Sequence, residues 1–163
     1  MRRCLYPVRV SEPRWLSADE QRSWRALLSA SLLLHDQLDK ELQRSQGLTS
    51  ADYEILVRLS DAPARRMRMS ELAEVTLSSR SRLSHQVSRM EQAGLVAREP
   101  CPDDRRGFFA VMTEYGWERL VKAAPDHVAG VREHLVDLLT AKQFAALGAS
   151  CAVIADHLLS SDD

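Results

Sequence analysis

Only one stretch of this 163-residue sequence reads as a pair of strands. Two short apolar runs, Leu95-Val96-Ala-Arg-Glu-Pro100 and Phe108-Phe-Ala-Val-Met112, flank the turn-rich segment Cys101-Pro-Asp-Asp-Arg-Arg-Gly107. That pattern predicts a β-hairpin. A single hairpin cannot build a core by itself, so the expected class is mainly α with a small β-hairpin. Apolar residues make up 45% of the chain and charged residues 28%, the balance of a folded domain rather than a disordered one. No run of about 18 apolar residues occurs, so no membrane span is expected.

The remaining sequence has helical periodicity. Ser17-Ala-Asp-Glu20 is a capping box, in which the serine accepts from a helical amide and the glutamate reaches back. Behind it Trp24, Leu27, Leu28, Leu32, Leu34, Leu38 and Leu42 recur up to Gly47, predicting a helix over about 18–46. Its leucines cover more than one stripe, as in helices that pack on more than their own domain. Thr49-Ser50 opens a second helix carrying Tyr53, Leu56, Val57 and Leu59 and ending near Pro63. The connector Arg65-Arg66-Met67-Arg68-Met69 is short and basic, with an extended conformation open to it. Ser70 is expected to cap a brief helix with Leu72, Ala73 and Val75. Ser78-Ser79 precedes another, whose Leu83, Val87 and Met90 form one stripe until Gly94. Past the hairpin, Thr113 starts a helix that Pro125 is expected to break or kink. Val128, Val131, Leu135, Leu138 and Leu139 then resume the pattern. Thr140-Ala-Lys-Gln143 caps a last helix with Phe144, Leu147, Val153, Ile154 and Leu158. The terminal helices carry more apolar surface than one lobe of this size buries, which predicts a homodimer.

Helix, short helix, tight turn, helix, hairpin is the order of a winged helix-turn-helix. The expected organisation is an N-terminal arm over 1–16, long N- and C-terminal dimerisation helices over 17–47 and 114–160, and a winged lobe over 48–113. On the helix expected at 79–93, the residues left outside the apolar stripe are Ser79, Arg80, Ser81, Arg82, Ser84, His85, Gln86, Ser88 and Arg89. No acid follows until Glu91, although exposed helices commonly interleave acids and bases. A face of donors and small hydroxyls suits a polyanion. Arginine bridges guanine acceptors, glutamine pairs with adenine, and serine and histidine reach phosphates or bases. Ser78-Ser79 adds a helix N-terminus able to seat a phosphate. Asp103-Asp104-Arg105-Arg106 places arginines at the hairpin tip, where they can enter a minor groove. The formal net charge of −1 conceals a basic middle. From Arg65 to Arg106 nine arginines face six acids, while the rest holds thirteen bases against seventeen acids. The other reading of this face is a solvated surface on a helical interaction module that does not bind DNA.

Catalytic and metal sites are not expected. Ser84 and His85 are adjacent on a helix and point in different directions, so they form no nucleophile–base pair. His127 and His134 share a helix face without the cysteines or clustered acids of a metal site, and no glycine-rich phosphate loop occurs. Cys4, Cys101 and Cys151 are an odd set at no useful spacing, as in a reduced cytoplasmic protein. The opening Met1-Arg-Arg-Cys-Leu-Tyr-Pro7 has no apolar stretch behind it, so a secretory leader is not expected.

Taken together, Met69-Ser-Glu-Leu-Ala73, Ser79-Arg-Ser-Arg-Leu-Ser-His-Gln-Val-Ser-Arg-Met-Glu-Gln-Ala-Gly-Leu-Val96, Asp104-Arg-Arg106 and Met112-Thr-Glu-Tyr-Gly116 resemble the MarR family (multiple antibiotic resistance regulators). The likeness runs from about Ser17 to Leu159. It implies a homodimer with intertwined terminal helices on a palindromic double-stranded DNA operator. By the same likeness Arg80, Ser81, Arg82, Ser84, His85, Gln86 and Arg89 contact the major groove, and Arg105 and Arg106 the minor groove. It also implies a cytoplasmic repressor, without cofactor, released by a small aromatic or phenolic ligand. Trp15, Trp24, His35 and Tyr53 are the candidate ligand-lining residues, although the residues themselves favour core packing for Trp24 and Tyr53 and a core histidine for His35. Redox or metal control is the alternative, with Cys101 near the hairpin arginines and Cys151 expected to be buried.

Overall fold

The computed structural model describes residues 13–102 and 104–160, with the side chains of Arg105 and Arg106 outside the description, as are Cys4 and Asp103. The chain divides into two compact units, one ending at Leu33 and the other beginning at Leu34.

The first unit contains Trp15, the serine capping box and the first half of α1 (Ala18–Gln46). The Ser17 amide donates to Glu20 Oε2 at 2.7 Å, and the Glu20 amide donates back to Ser17 Oγ at 3.3 Å. Trp24, Leu27, Leu28, Leu32 and Leu33 are all exposed.

The second unit continues with the rest of α1, then α2 (Ser50–Asp61), β1 (Arg66–Arg68), α3 (Met69–Val75), α4 (Arg80–Gln92), β2 (Val96–Cys101), β3 (Asp104–Met112), α5 (Glu114–His134) and α6 (Ala141–Leu159). Short 3-10 turns occupy Pro63–Arg65 and Val136–Leu138. Side-chain caps fix four of the helix starts. Thr49, Ser79, Thr113 and Thr140 each accept from an amide three residues on, and Thr49 and Thr140 complete reciprocal boxes with Asp52 and Gln143. Two helix ends are Schellman motifs. At α4, Gly94 takes φ +74 while Leu95 N donates to Met90 O and Gly94 N to Glu91 O. At α3 the same pair of bonds forms, Ser78 N to Ala73 O and Leu77 N to Glu74 O, but the left-handed residue is Leu77 at φ +49.

Leu56 and Leu59 of α2, Leu72 of α3, Leu83, Val87 and Met90 of α4, Val96 of β2 and Ala110 of β3 form one buried core with Leu120 and Ala123 of α5. The periodic positions of the sequence thus converge on the centre of the lobe. The sheet has the antiparallel order β1-β3-β2.

Five expectations need correction. The hairpin is not the only strand pairing, because Arg66, Met67 and Arg68 of the basic connector pair with Val111, Ala110 and Phe109. Three residues bonding to a strand some 40 positions away leave no local signal. The turn is shorter than the polar segment implied: Cys101 already pairs with Asp104, so Arg105, Arg106 and Gly107 begin β3 instead of forming the tip. Pro100 is tolerated because β2 is an edge strand. Ser70 does not cap α3, which starts at Met69 behind an extended Arg68 with no side-chain cap. Pro125 does not break α5, which runs on to His134; proline and Val121, whose carbonyl lacks its helical donor, are both exposed, so that carbonyl is open to solvent. Cys151 is exposed, not buried, because α6 buries none of its residues within the chain.

Candidate nucleic-acid interface

The turn between α3 and α4 is short because the Schellman end of α3 delivers the chain straight to Ser79. Ser79 Oγ accepts from Arg82 N at 3.2 Å and fixes the first turn of α4. Burial of Leu83, Val87 and Met90 sets the helix rotation. Ser79, Arg80, Ser81, Arg82, Ser84, His85 and Arg89 are consequently exposed and Gln86 half-buried.

The seven α4 candidates do not stand in equivalent surroundings. Among the described residues Arg80 and Arg82 have no carboxylate within ion-pair distance. Ser84 is engaged by Arg98 of β2, whose guanidinium donates to its carbonyl at 2.6 Å and its hydroxyl at 3.3 Å. Gln86 and Arg89 both donate to Asp52 Oδ1, at 2.5 and 3.2 Å. The stretch without acids in sequence therefore meets one acid in space, supplied by α2.

A cleft of about 740 Å³ separates α4 from the sheet, lined by Arg68, Ser70, Arg80, Ser84 and Arg98 among others. Arg68 and Arg98 had no assigned role in the sequence. Arg98 lies two residues from buried Val96 on β2, and that alternation is the signal that places it on the face towards α4. Arg66 and Arg68 stand over the Phe109 ring at 4.1 and 5.5 Å, and Arg66 also reaches Glu99 at 3.7 Å. Three arginines and two serines against one acid of the lining, Asp104, leave the concavity an excess of positive charge for an anionic strand, although Arg98 also reaches Glu91 at 3.9 Å.

The aromatic candidates do not converge. Trp15 and Trp24 belong to the first unit and are exposed, so Trp24 is not core packing in this chain. His35 is exposed and not a core histidine; it lines a cleft of about 300 Å³ with Ala51, Glu54, Arg82 and Gln86. Tyr53 packs on the core and its ring lies 4.5 Å from that of His127. Burial pushes the Tyr53 phenol up and the His127 imidazole down from their ordinary values, and His127 Nδ1 is buried without a hydrogen-bond partner among the described residues. His134 instead bonds Glu41 at 2.7 Å. Among the described residues no three His, Cys, Asp or Glu side chains are grouped to hold a metal. No single helix there is long and apolar enough to cross a membrane.

Comparison with known proteins agrees with this fold. A MarR family sequence model matches residues 46–107. The chain is 53% identical to AbsC, a MarR family transcriptional regulator from Streptomyces coelicolor, with a TM-score of 0.85 over 91% of this chain and 99% of that one. It is 47% identical to Sco3205, a MarR family transcriptional regulator of the same organism solved in complex with DNA, with a TM-score of 0.86 over 90% and 92% of the two chains. The transcriptional regulator HosA of Escherichia coli O111:H- is 33% identical over 48% of this chain and 56% of its own length. MhqR, an HTH-type transcriptional regulator of Bacillus subtilis, is 28% identical over 61% and 67%. These matches span only about half to two thirds of the two curated regulators, whereas AbsC is covered almost entirely. A relative more than half identical over nearly its whole length, with the same fold, decides the assignment: the chain belongs to the MarR family, a family of transcriptional regulators and not of enzymes.

Proposed function

We propose that the protein is a cytoplasmic, sequence-specific double-stranded DNA-binding regulator that works as a homodimer on a palindromic operator. The observation that carries this reading is the pair Arg80 and Arg82, exposed on α4 with no carboxylate partner among the described residues, beside the arginine-lined cleft. In it, Arg80, Ser81, Arg82 and His85 read base edges, and Ser79 and Arg68 meet the phosphate backbone. Arg105 and Arg106, at the start of β3, reach the neighbouring minor groove. Two copies supply two half-sites about one helical turn apart. The dimer is supported by α6, which leaves Val153 71% and Leu158 60% exposed, and within the first unit by Leu32 at 70%.

The reading extends to repression lifted by a small aromatic ligand. This rests on the family resemblance; Tyr53 beside His127, and His35 at its cleft, are the rings in the second unit that would receive such a ligand. Selection of bound duplexes from a random pool tests the DNA half. We expect an inverted repeat whose affinity falls steeply with salt as condensed counterions are released. No enriched sequence at low salt would refute it. Release of the selected duplex by members of a phenolic panel tests the effector half.

A further inference from the structure

Asp52 is the one buried charged side chain among the described residues, and it lies between α2 and α4. It has two tasks. As third residue of α2 its Oδ2 accepts from Thr49 N at 3.0 Å and Thr49 Oγ1 at 2.6 Å, closing the capping box. Its Oδ1 accepts from Gln86 Nε2 at 2.5 Å and from the Arg89 guanidinium at 3.2 Å. Four donors from two helices thus fill the accepting capacity of one carboxylate. A carboxylate only accepts, so Gln86 must turn its NH2 towards Asp52, which fixes the orientation of its amide. Bidentate pairing with adenine needs that amide free to present donor and acceptor together.

We infer that Asp52 is a specificity-determining positioning residue, which holds Gln86 and Arg89 away from DNA and leaves readout to Arg80, Ser81, Arg82 and His85. The inference rests on the proposed DNA-binding function and refines it. The Arg89 side chain is 58% exposed, so its own burial does not retain it. The Asp52 side chain is 11% exposed, and that side decides. A nearly dry carboxylate that loses a charged donor keeps a desolvation cost that a solvated one escapes. A DNA phosphate competing for Arg89 would leave the Asp52 carboxylate with its three neutral donors and no cation. Arg89 is therefore already neutralised and adds no counterion release on binding.

The test uses the full chain and the duplex selected from a random pool. In D52N, freed Arg89 finds a phosphate, so the slope of log affinity against log salt steepens by about 0.9. Affinity for unrelated duplex rises, and the ratio of specific to unrelated binding falls about fivefold or more. A merely structural role for Asp52 would weaken binding without steepening the slope. The double variant D52N/R89A loses the steepening. R89A alone leaves the slope at its native value, whereas R82A lowers it or weakens operator binding selectively. A folded D52N with unchanged slope, or an R89A that lowers the slope by about one, overturns the inference. Should D52N not fold, R89A alone decides. Failure of the unmutated chain to bind any duplex would instead overturn the DNA-binding reading, so the two failures are distinguishable.

Discussion

Arg82 and His127 illustrate how much a single side chain's surroundings determine. Arg82 is exposed on α4 and has no carboxylate within ion-pair distance among the described residues, so its guanidinium can bridge a guanine edge. Arg82→Ala is expected to weaken operator binding by about 1–3 kcal/mol, as a lost base contact does; competition binding at fixed salt measures it, and unchanged affinity would exclude Arg82 from readout. His127 is the opposite case. Burial beside Tyr53 lowers its pKa, so the folded chain binds fewer protons than the unfolded chain as pH drops through the ordinary imidazole range. Stability is therefore full above that range and lost as pH falls through it towards the lower folded value. The hydrogen-bonded carboxylates Glu20, Glu41 and Asp126 are also lowered, and their loss comes in the more acidic carboxylate range. Urea unfolding of the native chain and His127→Gln at pH 7 and just below the imidazole range separates these windows. The same pH dependence in both proteins would contradict the assignment.

At the scale of elements, the junctions around α4 are more tightly specified than the helix. Thr113 Oγ1 donates to the Gly94 carbonyl at 2.6 Å and accepts from Gly116 N at 2.9 Å, tying the start of α5 to the end of α4. A Cβ on Gly116 would run into the Leu95 carbonyl oxygen and come within 3.2 Å of Met112 Cγ. Alanine gains about 1 kcal/mol of helix propensity there, but displacing backbone in a packed junction costs more. Gly116→Ala is expected to lose roughly 1–3 kcal/mol in denaturant unfolding; a stabilised variant would show that the junction yields. Leu77 is the converse. It holds a left-handed φ of +49 with its side chain 87% exposed, so strain is present without compensating packing. Relief of about 1–2 kcal/mol, less about 0.4–1 for the freer unfolded glycine, gives Leu77→Gly a small net gain. A raised melting temperature confirms it and a lowered one refutes it.

For the whole molecule, the exposed faces matter most. Phe144, Leu147, Val153, Ile154, Leu158 and Leu159 of α6 are all exposed. Covering the exposed part of each contributes roughly 1–2 kcal/mol. A dozen such side chains across a two-fold interface therefore match or exceed an association cost of about 4–15 kcal/mol. Sedimentation at micromolar concentration is expected to give twice the 18.4 kDa chain mass. Ile154→Asp, by burying a charge, is expected to shift the protein towards monomer and weaken operator binding. A monomeric native chain would remove the dimer from the proposal.

What the sequence determined by itself is local in origin. Period-3.6 apolar stripes, capping boxes at Ser17 and Thr140, the cap at Thr49-Ser50, and the glycine after Met90 specify where helices start and stop. The donor-rich run from Ser79 to Arg89 specifies which helix suits DNA. Only the tertiary structure decided the partners of those residues. β1 exists because Arg66–Arg68 meets β3, and Cys151 is exposed because nothing among the described residues covers α6. Asp52 enters the face of α4 because α2 packs there, 34 residues away from Gln86 in sequence. Hydrogen bonds and ion pairs act over a few ångströms in space whatever their separation along the chain. The acid-free run is thus divided by its fold into an exposed end at Arg80–His85, where the proposed readout lies, and an end where Asp52 engages Gln86 and Arg89.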